Sequence, residues 1–140
     1  MTPTVRKLPT TMAMPKSAAA VVGGVAYLSG HVGVDRAGEV PEGFEAQARL
    51  AVANLEETLE RAGATLASVA RVLVVLTRQE HFAPLNALWE QVFPRPFPAR
   101  TTIVAAGADP RYLIEVEAIA EVVADRSPAA AATPKEAADA

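Results

Sequence analysis

Residues 69–76 constrain most strongly what this chain can fold into. They are rich in β-branched residues and carry apolar side chains on both faces, with Val69, Val72, Val74 and Val75 among them. A short run of this kind is typical of a strand that is covered from both sides. We therefore expect a central, buried strand around which the other elements pack.

Further strands are predicted before and after this segment. Gly23-Gly24 separates short apolar runs at residues 17–22 and 25–29, and a glycine pair readily supplies the positive φ angles of a hairpin turn. Near the other end, a turn around residues 107–110 joins strands predicted at residues 99–104 and 112–122. No internal repeat is visible.

Two segments follow a helical period. Over residues 43–62 the apolar positions are Phe44, Ala48, Ala51, Leu55, Leu59 and Ala62, and Gly63 follows as a C-terminal stop. The second stripe is Phe82, Leu85, Trp89 and Val92, which three prolines after residue 93 terminate. The order of elements predicts an α+β fold, a two-layer sandwich in which a mixed sheet of about six strands carries two helices on one face.

The other face of such a sheet must meet solvent or another subunit. Residues 69–76 and 114–122 carry aliphatic side chains at nearly every position, which is too apolar a surface for solvent. We therefore expect this face to pack against further copies of the chain and close an oligomer. The sequence alone does not set the number of copies.

Length and charge limit the functional classes. The 140 residues allow one domain, expected at residues 1–124, and the Ala/Pro-rich residues 125–140 are expected to form a disordered tail. The formal net charge of −3 offers no basic field for nucleic acid or for an anionic membrane. No apolar run is long enough to span a bilayer, and we expect a cytoplasmic protein.

The chain has no cysteine, which excludes disulfides, thiolate nucleophiles and cysteine-ligated metals. Only His31 and His81 remain as imidazole ligands, too few for a histidine metal cluster. We therefore expect no cysteine- or histidine-ligated metal site.

One arginine and two carboxylates lie in the two C-terminal strands. Arg100 ends the segment Phe-Pro-Ala-Arg, and Glu115 and Glu117 alternate with aliphatic residues. A guanidinium matches a carboxylate bidentately, so a partly enclosed Arg100 suits the anchoring of a small organic acid, and a glutamate on an adjacent strand suits the positioning of a water. A structural Arg100 that pairs with Glu115 or Glu117 at a subunit interface is the alternative.

These segments resemble the RidA (YjgF) family of enamine/imine deaminases over residues 15–122. The most specific matches are Pro98-Ala99-Arg100 and the run Ile-Glu-Val-Glu-Ala-Ile-Ala at residues 114–120, which occur at the spacing of the family. Further matches are Leu28-Ser29-Gly30-His31, Gln47-Ala48-Arg49, Asn54, Ala62-Gly63, Phe82, Asn86 and Phe93.

The resemblance implies a homotrimer whose sheets line a central barrel and whose active sites lie in the clefts between subunits. It implies hydrolysis, without cofactor or metal, of a short-lived 2-imino acid, formed from an enamine such as 2-aminoacrylate or 2-aminocrotonate, to a 2-keto acid and ammonia. Arg100 would bind the substrate carboxylate, and Glu115 would orient the attacking water and move protons. The other substrate-binding residues would be Ser29, Gly30, Asn86 and Thr102.

Three positions depart from the family pattern. Lys16 stands where many deaminating members carry tyrosine, His31 replaces a glutamine, and Thr102 replaces a cysteine or serine. Lys16 and His31 are therefore candidates for the pocket edge, where they would change the substrate preference. Arg100 and Glu115 are both retained.

Other interpretations stay open. Asn86 also suits the tying of a loop, Ser29 the satisfaction of backbone groups, and Lys16 a surface charge. On the same fold, a non-catalytic or chaperone-like trimer would bind small carboxylates without turnover. Deamination of another, pathway-specific enamine is a third possibility. The ribonuclease or translation-inhibitor activity proposed for some relatives is disfavoured by the acidic charge and the lack of a histidine pair.

Overall fold

Seven strands form one mixed sheet, and two helices pack on one of its faces. The computed structural model describes residue 2 and residues 4–123. The strands are β1 (Arg6–Pro9), β2 (Ser17–Val22), β3 (Val25–Leu28), β4 (His31–Val32), β5 (Val69–Leu76), β6 (Ala99–Val104) and β7 (Ile114–Glu121). The helices are α1 (Phe44–Ala62) and α2 (Phe82–Val92), and short 3₁₀ segments lie at Leu66–Ser68 and Gln79–His81.

The predicted α+β fold is confirmed, and every predicted strand and helix is present near its expected bounds. β1 and β4 were not predicted individually, because runs of four and two residues are too short to show a period. The predicted tail at residues 125–140 lies outside the described residues. Among the helices of the described residues, none has the length and apolar character needed to cross a membrane.

The sheet order is β1-β2-β3-β7-β5-β6, and β4 also pairs with β7. β5 therefore lies between β6 and β7, parallel to the first and antiparallel to the second. The expectation that Arg100 and Glu115 lie on neighbouring strands is wrong, because β5 takes the position between them. In the register, Val72 of β5 pairs with Arg100 and Val75 pairs with Glu115.

The two faces of β5 differ in burial. Val72, Val74 and Leu76 are fully buried in the core beneath the helices, whereas Leu73 and Val75 on the other face are half-buried. The prediction that β5 is covered from both sides therefore holds within one protomer for the helix face alone. We call the other side of the sheet the open face; its apolar residues include Ala20, Val22, Tyr27, Leu73, Val75, Ile103 and Ile119.

The helix face holds the core. Leu55 and Leu59 of α1 and Leu85 of α2 are fully buried against it, together with small residues that let the helix approach the sheet. α1 ends where the sequence predicts, because Gly63 adopts the left-handed conformation (φ 82°) and donates its N–H to the last turn.

Gln47 ties α1 to the loop that leads into β7. Its side chain is buried, its Nε2 donates to the Arg111 carbonyl and its Oε1 accepts from the Leu113 N–H, each at 2.9 Å. Both backbone groups lie just before Glu115, so this amide helps to hold the start of β7 in place.

We expect Gln47→Leu to lower the free energy of unfolding by about 1–3 kcal/mol, because it removes the partner of two backbone polar groups. Gln91→Leu is the matched control, since Gln91 is exposed and its amide oxygen accepts from Arg49 only. Its effect should stay within about 0.5 kcal/mol. Urea unfolding of both variants measures the difference, and equal effects would contradict the structural role of Gln47.

Candidate functional site

Arg100 lies on β6 and points to the helix face, where α2 holds its guanidinium group. Nη2 donates to Asn86 Oδ1 at 2.5 Å. The guanidinium carbon lies 5.0 Å from the centre of the Trp89 ring and 5.9 Å from that of Phe82. Aromatic faces attract a cation at these distances, so amide and rings together orient the guanidinium.

The charge of Arg100 is not neutralised within the protomer. Burial lowers the pKa of Arg100, but an arginine in a protein stays protonated. The ion pairs found within the described part of the chain involve Arg36, Arg49, Arg78, Arg95 and Arg111, and none involves Arg100. The structural alternative, a pairing of Arg100 with Glu115 or Glu117 at a subunit interface, concerns a second protomer and stays open.

Thr102 lies two residues further along β6 and on the same face as Arg100. Its Oγ1 is buried and has no hydrogen-bond partner among the described residues. Most buried hydroxyls in proteins are hydrogen-bonded, so this one is an unsatisfied donor on the same face of the strand as Arg100. We call Arg100, Asn86, Trp89 and Thr102 the Arg100 group.

Glu115 lies on the open face, half-buried at the start of β7. Its carboxylate occupies the space beside Gly30 that a side chain would need, since a Cβ on Gly30 would overlap Glu115 Oε1. The same glutamate borders a cavity of about 190 Å³. Its other lining residues are almost all apolar or small and include Val75, Ile103, Ala105, Ala106 and Ile114.

Ser29 and Lys16 both lie near Gly30. Ser29 Oγ donates to the Ser17 carbonyl at 2.7 Å and so ties β3 to β2, which agrees with the structural alternative for this serine. Lys16 Nζ donates to the Gly30 carbonyl at 3.1 Å. We call Glu115, Gly30, Ser29 and Lys16 the Glu115 group.

Both ring nitrogens of His31 are hydrogen-bonded, and Nε2 connects β4 to α1. Nδ1 lies 2.6 Å from the Ser29 carbonyl and Nε2 lies 2.8 Å from Thr58 Oγ1. Because a carbonyl only accepts, Nδ1 carries the hydrogen and Nε2 accepts from the hydroxyl. Burial lowers the pKa of His31, the charges of Lys16 and Arg61 lower it further, and the hydrogen bond to Ser29 opposes them.

The predicted site residues therefore form two groups on opposite faces of the sheet. Arg100 and Asn86 contact each other on the helix face, as expected for partners in one site, whereas Glu115 and Gly30 contact each other on the open face. One protomer does not bring Arg100 and Glu115 together. A site that contains both needs residues from two protomers.

Trp89 was predicted to be a core residue, and its contact with Arg100 was missed. It is buried, as expected, but its ring also faces the guanidinium. The spacing of Phe82, Asn86 and Trp89, four and then three residues apart, places them on one helix face and was the available signal. In the part of the chain that the structure describes, no cluster of three or more His, Asp or Glu side chains is arranged to hold a metal ion.

Comparisons with known proteins show which family this chain is similar to. The family model described as Endoribonuclease L-PSP matches residues 9–122. A relative named "Protein mmf2, mitochondrial" from Schizosaccharomyces pombe is 38% identical over 110 residues, which are 76% of this chain and 86% of the relative. The 2-iminobutanoate/2-iminopropanoate deaminase of Bos taurus is 34% identical over 108 residues, covering 76% of this chain and 79% of that protein.

Solved structures are also similar to this chain in fold and in sequence. The crystal structure of RidA from an Antarctic Psychrobacter superposes with a TM-score of 0.77 at 32% identity, over 86% of this chain and all of that chain (100%). A Thermotoga maritima protein described as a putative endoribonuclease superposes with a TM-score of 0.77 at 31% identity, over 83% of this chain and 96% of that one.

We expect the free energy of unfolding to fall as the pH is lowered through about 6.5, the ordinary pKa of histidine. The unfolded chain takes up a proton there, whereas burial lowers the pKa of His31 in the folded state, so the contribution of His31 to stability is fully present above this pH and is lost progressively below it. In His31→Gln the group no longer titrates, and the loss between about pH 7.5 and about pH 5.5 should be smaller than in the wild type. Urea unfolding at both pH values measures it, with His81→Gln as the control for removing one imidazole. An equal loss in the wild type and His31→Gln would contradict the expectation.

Proposed function

The chain belongs to the YjgF/RidA family, and on this basis and that of the two groups above we propose that it hydrolyses 2-imino acids to 2-keto acids and ammonia. The imino acids would be tautomers of enamines such as 2-aminoacrylate and 2-aminocrotonate. One observation carries the proposal. Arg100 is a half-buried cation that is oriented by Asn86 and Trp89 and has no carboxylate partner among the described residues of its own protomer.

The proposed active site lies between protomers of a homotrimer. Arg100 of one protomer and Glu115 of the next would face each other across the cleft, which their positions on opposite sheet faces require. The open face supports the assembly, because Tyr27 and Ile103 on it are 48% and 43% exposed in the single chain. Apolar residues exposed in this way favour contact with a second copy.

Arg100 would anchor the substrate by its carboxylate. Asn86 takes one of the five N–H donors of the guanidinium, so at least two remain for a bidentate contact. This contact would hold the imine carbon at a fixed distance from the neighbouring Glu115. Fixing two reactants in this way removes much of the entropy cost of their encounter.

Glu115 would act as the general base. Its carboxylate would accept a proton from water as the water oxygen adds to the imine carbon, and it would return the proton to the nitrogen. Glu115 would then take the hydroxyl proton of the resulting carbinolamine and pass it to the amine nitrogen, so that the carbon–nitrogen bond breaks, ammonia leaves and the carbonyl forms. The small apolar cavity beside Glu115 favours short aliphatic side chains on the substrate.

We also propose that the protein is cytoplasmic and that it acts without a cofactor. The relative from Schizosaccharomyces pombe carries the word mitochondrial in its name, so the location of this protein is a matter for cell fractionation.

We expect Arg100→Ala to reduce kcat/KM by about 100-fold or more, because the substrate carboxylate loses its anchor. A serine or threonine dehydratase generates the enamine in situ, and the decay of the imine absorbance measures turnover. Arg78→Ala is the matched control, since Arg78 is exposed and pairs only with Glu80. The mass of the oligomer should be the same in all three proteins. Dissociation of Arg100→Ala would instead mark Arg100 as a structural interface residue.

We expect Glu115→Gln to slow hydrolysis by about 10²–10⁴-fold while a 2-keto acid binds nearly as well as to the wild type. Equal losses in the rate of hydrolysis and in the affinity for the 2-keto acid would contradict the role of Glu115 as a base.

The two inactive variants, Arg100→Ala and Glu115→Gln, also test whether the site is shared between protomers. In oligomers reassembled from equal amounts of Arg100→Ala and Glu115→Gln chains, about a quarter of the inter-subunit sites would hold an intact Arg100 and an intact Glu115. Recovery of activity on mixing is expected, and no recovery would contradict an active site that two protomers share.

A further inference from the structure

A second, larger cavity lies between the loop that precedes β2, the turn that follows β4, and α1. Gly30 is one of its lining residues. Its volume is about 550 Å³, which is in the range of pockets that bind small molecules. One protomer supplies all of its walls. Arg100, Asn86, Thr102 and Glu115 are not among its lining residues.

The charges on the cavity wall are mainly positive. Its lining includes four cations, Lys16, Arg36, Arg61 and Arg111, but only two carboxylates, Asp35 and Glu57. The cavity therefore carries an excess of two positive charges in a chain whose net charge is −3. Such a local reversal of sign concentrates anions at the site.

Two of these cations are already paired. Arg36 Nη2 lies 2.6 Å from Glu57 Oε1, and Arg111 Nη2 lies 3.0 Å from Asp109 Oδ2. A carboxylate therefore already balances the charge of each of these two arginines, and neither needs a further anion.

Lys16 and Arg61 differ, because their polar contacts are backbone carbonyls. Lys16 Nζ donates to Gly30 at 3.1 Å, and Arg61 Nη2 donates to Pro9 at 2.7 Å. A carbonyl orients a cation without neutralising it. Among the described residues, no carboxylate lies within ion-pair distance of either side chain.

The lining also offers Lys16 and Arg61 polar, uncharged neighbours. His31 lies in the same wall as Lys16 and Arg61; burial lowers the pKa of His31, and the charges of both cations lower it further. Thr10 and Thr11 add hydroxyl groups to the lining. Thr10 Oγ1 accepts from the Met12 N–H, so its hydroxyl hydrogen remains available for an anion.

We propose that this cavity is a binding site for a small dianion, either a dicarboxylate or a phosphate group, with Lys16 and Arg61 each contacting an anionic oxygen. Two unneutralised cations suit two negative charges, and the polar wall supplies further donors. The cavity shares Lys16 and Gly30 with the Glu115 group, but its lining includes neither Arg100 nor Glu115, and Arg61 belongs to the cavity alone.

Titration calorimetry of the full chain tests this with two probes, succinate and inorganic phosphate. The Arg100→Ala background keeps the carboxylate anchor of the other site silent. We expect one site per chain, and tighter binding of one probe identifies the ligand as a dicarboxylate or as a phosphate. Lys16→Met and Arg61→Met should each weaken that binding by about tenfold or more, because each removes a charge-assisted hydrogen bond.

Arg78→Met is the matched control, since it removes one exposed positive charge that does not line the cavity and should leave the affinity within about twofold. Lys16→Arg keeps the charge and should retain binding. If Arg61→Met loses its fold, because Arg61 also holds Pro9, the Lys16 pair of variants decides the question. Absence of binding by either probe, or equal affinity in Lys16→Met and the parent protein, would overturn the proposal. Loss of imine turnover leaves it untouched, so the two proposals fail separately.

Discussion

β5 lies between Arg100 and Glu115, the two candidate catalytic residues, and its register determines on which side of the sheet each of them lies. Val72 of β5 pairs with Arg100, and Val75 pairs with Glu115. Because side chains alternate along a strand, positions three residues apart face opposite sides of the sheet. A slip of β5 by one residue against either neighbour would move that strand's charged side chain to the other face. The arrangement of the charges therefore depends on the pairing of one apolar strand.

That pairing is held by the core rather than by the site. Val72, Val74 and Leu76 are fully buried beneath the helices, and burial of such a side chain contributes about 1.5–3 kcal/mol relative to exposure. Arg100 and Glu115 contribute no mutual ion pair within the protomer. Their charges are consequently available to groups outside it, whether a ligand or a second copy of the chain.

The same principle applies to the cations of both proposed sites. Arg100 is oriented by the Asn86 amide and by aromatic rings, and Lys16 and Arg61 are oriented by backbone carbonyls. Neutral acceptors fix the direction of a cation and leave its charge unbalanced. A carboxylate would fix the direction and also balance the charge. The exposed arginines that pair with carboxylates, such as Arg36 with Glu57, lack this property.

The sequence by itself determined the long elements and the family. α1, α2, β5 and the hairpin of β2 and β3 follow from periodicity and glycine placement, which are local properties, and the matches around Arg100 and Glu115 identified the candidate residues. Only the tertiary structure decided that β5 lies between β6 and β7, that Arg100 and Glu115 face opposite sides, and that Lys16 and Arg61 line one cavity. The physical reason is that periodicity shows which face of an element is apolar, whereas strand order and side-chain proximity arise from contacts between residues far apart in the chain.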